Sequence, residues 1–125
     1  MPAITEAKKG KEQMSPEITC LASPYSDPDG FVRAYRVAQA AKAAAKLTTE
    51  GHIAYSPVVH GHALCEVSNL DPLSPIWYAH AEAMLRMCDR VTVLRLEGWQ
   101  TSVGVQHEIK LAKQLGLPVD YLDPI

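Results

Sequence analysis

Of all the side chains in this 125-residue chain, the carboxylate of Glu108 has the setting that most calls for a chemical explanation. It ends the stretch Glu97-Gly98-Trp99-Gln100-Thr101-Ser102-Val103-Gly104-Val105-Gln106-His107-Glu108, which reads as a strand end, a Gly-Trp turn and a helix capped by Ser102. On that helix its neighbours at i−3, i+3 and i+4 are Val105, Leu111 and Ala112. No Lys or Arg lies three or four places away, so the usual partner of a surface-helix glutamate is missing. A carboxylate on an apolar face is costly to bury unless it has a partner or a task. Gly104, one turn earlier on the same face, costs a helix about 1 kcal/mol relative to Ala. Close approach of a ligand or of neighbouring backbone would offset that cost.

Three further segments offer chemistry. Ser23-Pro24-Tyr25-Ser26-Asp27-Pro28 follows a strand and precedes a helix, where phosphate-binding turns occur, but it lacks the glycines and lysine of a P-loop. Free N–H groups there, with Ser23 and Ser26, suit an anion or a sugar hydroxyl. Arg33 and Arg36 fall in the first turns of the following helix, where a cation opposes the macrodipole; they are either ordinary surface arginines or partners of an anionic ligand. In Ser56-Pro57-Val58-Val59-His60-Gly61-His62 the two histidines have no third metal ligand nearby. No metal is therefore expected; His60 is read as lining a pocket and His62 as exposed on a loop. Finally, Pro75–Cys88 carries Trp77, Tyr78, His80 and Glu82, with Ile76, His80, Ala83, Met84 and Met87 on the face expected to pack in the core; the aromatics near its start either shape a pocket or stack on a base, or pack in the core, the reading favoured for Trp77.

These segments need elements to hold them. Ile18–Ala22 reads as a buried strand, and Asp29 or a nearby residue caps a long alanine-rich helix over roughly Phe31–Glu50 that Gly51 stops. His52–Val59 reads as a strand interrupted by Pro57, and His60–Pro72 as a loop with at most one short helix. Pro75–Cys88 is predicted helical with Ser74 as N-cap, Arg90–Leu96 as the clearest strand, Ser102–Leu115 as a helix and Leu117–Leu122 as a last strand. This alternation predicts a three-layer, flavodoxin- or Rossmann-like α/β domain over 17–125, with four or five parallel strands and helices on both faces. Residues 1–16 are polar and aperiodic and are expected to form a flexible tail. Ligands of such folds sit beyond the carboxyl ends of the strands, where these segments fall.

Composition limits the partners. Hydrophobic residues make up 47% and charged residues 21%, and the net charge is −2. That excludes a broad surface for a nucleic-acid polymer, which needs a basic excess, but allows a pocket for one nucleotide. No run approaches the ~20 apolar residues of a membrane helix, and residues 1–16 lack a signal-peptide core. Cys20, Cys65 and Cys88 are dispersed in apolar contexts and read as reduced, buried thiols in a cytoplasmic protein. Nothing in the sequence implies a cofactor.

With these residues in view, the chain resembles the nucleoside 2-deoxyribosyltransferase superfamily, and among its members the small uncharacterised domain family of unknown function numbered 1937. The likeness spans about Ile18–Asp123 and rests on Leu21-Ala22-Ser23-Pro24-Tyr25, on Met84-Leu85-Arg86-Met87-Cys88-Asp89, and on Gly98-Trp99 followed by Ser102, Gly104, Val105, Glu108 and Ala112. The resemblance implies cleavage of the N-glycosidic bond of a (deoxy)nucleoside or its 5′-monophosphate, with Glu108 as the nucleophile. It leaves His60 or Glu82 as the proton source for the departing base. Pro24, Tyr25, Trp99, Ser102 and Gly104 would contact substrate, and Ser23, Ser26 and Ser102 a phosphate, with Arg33 or Arg36 assisting. Enzymes of the superfamily commonly carry an Asp before the region matched by Cys88-Asp89; here the text reads Tyr78-Ala79-His80-Ala81-Glu82-Ala83, with His80 or Glu82 as the substitutes. Its members assemble as dimers or larger, so a homodimer or higher homo-oligomer is expected, with Trp77, Tyr78 and Trp99 as interface residues. The alternatives are a non-catalytic nucleotide-binding or sensing module and an interaction protein with a vestigial pocket.

Overall fold

The computed structural model describes residues 17–125, so the tail expected over residues 1–16 lies outside the described residues. The elements are β1 (Ile18–Ala22), α1 (Gly30–Thr49), β2 (Ile53–Tyr55), α2 (Pro57–Ser68), α3 (Ile76–Leu85), β3 (Arg90–Leu94), α4 (Val103–Gln114) and β4 (Val119–Leu122). The four strands form one parallel sheet in the order β2-β1-β3-β4. β1 and β3 are central, and every residue after the first of each is buried, including Thr19 and Thr92.

Strand alternation sends side chains to two cores. Cys20 and Ala22 of β1 and Val91 and Val93 of β3 pack with Leu85 of α3 and Val105, Ile109, Leu111 and Ala112 of α4. Leu21 and Leu94, on the opposite face, pack with Ala43, Ala44 and Leu47 of α1. The result is the three-layer α/β arrangement that the alternation of strands and helices predicts. Asp89 ties the two central strands together: its backbone N–H donates to Ile18 O at 2.8 Å, and its carboxylate accepts from Ile18 N–H at 2.7 Å.

The first helix starts where its cap residue predicts, with the Asp29 side chain accepting from Phe31 N–H. The segment after β2 differs from expectation. The strand ends at Tyr55, and Pro57 opens a twelve-residue helix instead of interrupting a strand. Proline has no N–H to lose at the first helical position, and Ser56 caps the helix by accepting from Val59 N–H at 3.1 Å. Asn69 ends it in the left-handed conformation, with φ 60°. The valines and Gly61 are weak helix formers, so packing on α1 and β1 holds this helix together.

Further differences are smaller. α3 covers Ile76–Leu85 rather than Pro75–Cys88, and Ser74, the expected cap, accepts from Ile76 N–H at 3.4 Å. Its inward residues are Trp77, Tyr78, Ala81 and Leu85, not the expected face; Ile76 is 64% exposed and Met87 66%. β3 and β4 are each two residues shorter than predicted. Among the described residues no helix is long and apolar enough to cross a membrane.

Candidate functional site

In the order β2-β1-β3-β4 the chain leaves β1 toward one sheet edge and later crosses back to β3. The carboxyl ends of β1 and β3 therefore flank a crevice of the kind that binds ligands in open α/β sheets. Here it is a cavity of about 430 Å3, within the range of small-molecule sites, about 300–1,000 Å3. Ser23, Tyr25, Ser26 and Asp27 enter it after β1, and Gly98, Thr101 and Ser102 after β3. α4 supplies Val103, Gly104, His107 and Glu108; α2 and α3 close the remaining side.

Glu108 is the buried acid of this cavity, with 8% of its surface exposed. α4 places it there because Val105, Ile109, Leu111 and Ala112 bury the adjoining helix face against the sheet. Its Oε2 accepts a long hydrogen bond from the Cys20 thiol at 3.9 Å. Among the described residues no Lys, Arg or His forms an ion pair with it. Burial pushes its pKa up to about 8; the Cys20 hydrogen bond pulls the other way. The Cys20 thiol is held well above its usual range, by its hydrogen bond to Cys88 first, then by burial and the Glu108 charge.

The remaining walls are polar in a patterned way. Ser102 caps α4, its Oγ accepting from Val105 N–H at 3.2 Å, so the first turn of the helix faces the cavity. A Cβ on Gly104 would meet nothing closer than Ser102 Oγ at 4.0 Å, so no neighbouring backbone crowds this glycine; it borders open cavity. Gly98 has φ +96°, and a Cβ there would lie 2.9 Å from the Arg36 guanidinium. Arg36 reaches the cavity from α1 and donates to Ser26 O at 3.0 Å, with no carboxylate partner among the described residues. Ser23 Oγ is buried at the cavity without a hydrogen-bond partner. On the α2 side the Tyr25 hydroxyl and His62 Nδ1 lie 2.9 Å apart, and His62 Nε2 faces Glu66 at 3.6 Å.

Several residues fall elsewhere than the sequence suggests. His60 is exposed, outside the cavity, stacked on His80 with ring centroids 5.2 Å apart. His62, expected to be exposed on a loop, lines the cavity in its place. Glu82 points away, pairing with Arg86 at 3.1 Å and His107 at 3.2 Å. Arg33 stands outside the cavity, its guanidinium donating to Asp27 O at 2.6 Å. Pro24 is fully buried beneath the turn. Trp99 packs on the core and against Tyr121 rather than toward the cavity or open surface. Trp77 and Tyr78 both line the cavity, and of the expected interface trio only Tyr78 is also exposed, at 43%. Cys65 is half-buried at the cavity instead of in the core.

The sequence reading missed His62, Cys65 and His107 at the cavity, and favoured the core for Trp77, which lines it. A signal for the first two was present: Val58, Gly61, His62 and Cys65 follow the i, i+3, i+4, i+7 pattern after the Ser56-Pro57 helix start, and all four line the cavity.

No curated protein matches the chain. A family model described as Domain of unknown function (DUF1937) matches residues 17–123, which takes in every strand and every cavity residue. The chain is a member of the DUF1937 family.

Proposed function

We propose that this protein cleaves the N-glycosidic bond of a (deoxy)nucleoside or its 5′-monophosphate, by hydrolysis or by transfer of the sugar to another base, with Glu108 as nucleophile. One observation carries the reading: a buried carboxyl on the cavity wall, bonded to a thiol and without a cation among the described residues. A glutamate held only for structure would be expected to have an ion-pair partner. In the reaction, a Glu108 oxygen attacks the anomeric carbon as the bond to the base breaks. A glycosyl ester forms, and water or a second base then resolves it. The cationic character of the anomeric centre is what a dry carboxylate stabilises.

Arg36, the unpartnered Ser23 hydroxyl and the start of α4 favour the monophosphate over the nucleoside, since all three supply donors to an anion. Self-association belongs to the same reading. Val67, Leu70, Leu73 and Ile76 form an exposed apolar run from α2 to α3, which suits a second copy. A monomeric mass by light scattering would refute it.

A specific observation favours a second reading, a non-catalytic nucleotide-binding or sensing module: a carboxyl that keeps its proton up to about pH 8 is a poor nucleophile at neutral pH. Incubation with deoxynucleosides and their monophosphates separates the two. Free base that disappears in Glu108→Ala supports the enzyme; tight binding without release supports the module.

A further inference from the structure

The geometry points to Tyr25 as the acid that protonates the departing base, with His62 and Glu66 positioned behind it as a proton relay. The inference rests on the glycosidic reading above. A nucleobase leaves a sugar poorly as an anion, so a nucleophile alone does not complete the step; a proton must reach the base as the bond breaks. The two donors suggested by sequence are not available. His60 lies outside the cavity, and Glu82 is turned away into its pairs with Arg86 and His107.

Asp27, Cys65 and Tyr78 also line the cavity, but only two arrangements there include an imidazole, the commonest general acid: His107 and the Tyr25–His62 pair. In-line displacement decides between them. The leaving group departs from the face of the anomeric carbon opposite the nucleophile, so its acid belongs on a different wall from Glu108. His107 adjoins Glu108 on α4, and Glu82 holds its Nε2. Tyr25 and His62 come from the β1–α1 turn and from α2.

The three groups are connected in order. The Tyr25 hydroxyl is 2.9 Å from His62 Nδ1, and their rings meet edge to face at 5.8 Å. Glu66, one turn along α2, faces His62 Nε2 at 3.6 Å. That carboxylate orients the ring and favours the tautomer with a proton on Nε2. His62 and Tyr25 are partly buried, whereas Glu66 is open to solvent, so the chain runs from water to the cavity.

The step balances. A Glu108 oxygen forms a bond to the anomeric carbon, and the carbon–nitrogen bond breaks with its electron pair going to the base. The Tyr25 hydroxyl proton passes to the base, and the proton on His62 Nδ1 replaces it on Tyr25, leaving neutral imidazole with its remaining proton toward Glu66. In the second half, water attacks the anomeric carbon and the bond to Glu108 breaks with its pair returning to the carboxylate. The water proton travels back through Tyr25 to His62.

The test compares two leaving groups. Wild type and the variants Tyr25→Phe, His62→Gln, His107→Gln and Glu108→Ala are assayed on the common deoxynucleosides and their 5′-monophosphates. They are also assayed on p-nitrophenyl 2-deoxyriboside and its 5-phosphate, whose nitrophenolate leaves without a proton. Tyr25→Phe and His62→Gln are expected to lose about 10²- to 10⁴-fold on the natural substrates, the usual contribution of a general acid. On the nitrophenyl substrates their kcat/KM, which reports only formation of the glycosyl ester, should stay near the wild-type value. Glu108→Ala loses both substrates. Equal losses on both substrate types, no loss at all, or a selective loss in His107→Gln instead would overturn the relay while leaving the glycosidic reading intact. Failure of the wild type to release base or nitrophenol overturns that reading and the relay with it.

Discussion

The cavity has two walls built on different terms. The α4 wall is continuous with the core: Val105, Glu108, Ile109, Leu111 and Ala112 are all buried against β1 and β3. The α2–α3 wall is thin. α2 has no fully buried residue, α3 has only Leu85, and Val67 and Ile76 are 83% and 64% exposed. On the proposed reading, the group that must reach a sugar carbon, Glu108, is held on the stiff wall. His62, Trp77 and Tyr78 stand on the wall with the fewest buried side chains, where local opening costs least.

This contrast can be broken by experiment, and loss of activity is its largest expected effect. Glu108→Ala should reduce base release to background. Glu82→Gln, which removes an acid tied up in partly exposed pairs outside the cavity, should stay within about threefold of wild type. Comparable losses in both would mean that the two carboxylates share the work.

Next in size is packing. Leu85→Ala removes the one fully buried side chain of α3 and should cost about 2–5 kcal/mol in urea unfolding. Ile76→Ala, nine positions earlier on the same segment, should stay within about 0.5 kcal/mol. If Ile76 proves as costly as Leu85, the α3 wall is buried in solution, most simply by a second copy.

The electrostatic prediction has a definite sign. In the folded state Glu108 keeps its proton up to about pH 8, whereas the unfolded chain releases it near 4.5. Between those values the folded state binds more protons, so its stability falls as pH rises and stays lowered above 8. Glu108→Gln removes this slope. Its advantage over wild type should be small near pH 4 and grow to a few kcal/mol by pH 8. A flat difference across that window would show that the carboxyl is solvated or paired. On the proposed reading, base release should run the other way, increasing toward pH 8 as Glu108 ionises.

The smallest effects concern the two helix caps. Ser102→Ala should cost about 1 kcal/mol of global stability, because α4 melts only with the core. Ser56→Ala removes an equivalent bond from α2 and should appear chiefly as faster amide exchange within α2, with little change in the global midpoint. Equal global losses would erase the distinction between the walls.

Most of the frame and part of the cavity were legible in the residues themselves. β1, the cap of α1, the cap of α4 and the unpaired Glu108 are local or periodic signals, and the structure has them where the sequence indicates. An apolar run buried on both faces, a serine before a helix and a glutamate without a neighbouring cation keep their meaning whatever packs around them. The helix after Ser56 was misread because Val58, Val59 and Gly61 have weak helical preference, and its hold comes from α1 and β1, far along the chain.

What only the tertiary structure decided is which polar groups share the space in front of Glu108. His60 and His62 are two residues apart on one helix, so their side chains point in widely different directions, and packing on α1 and β1 determines which one faces inward. Glu82 was a candidate acid until α3 and α4 met and its carboxylate found His107 and Arg86. Periodicity states how side chains are distributed around an element. The rotation of that element against its neighbours is fixed by long-range packing, and that rotation selected the residues of the site.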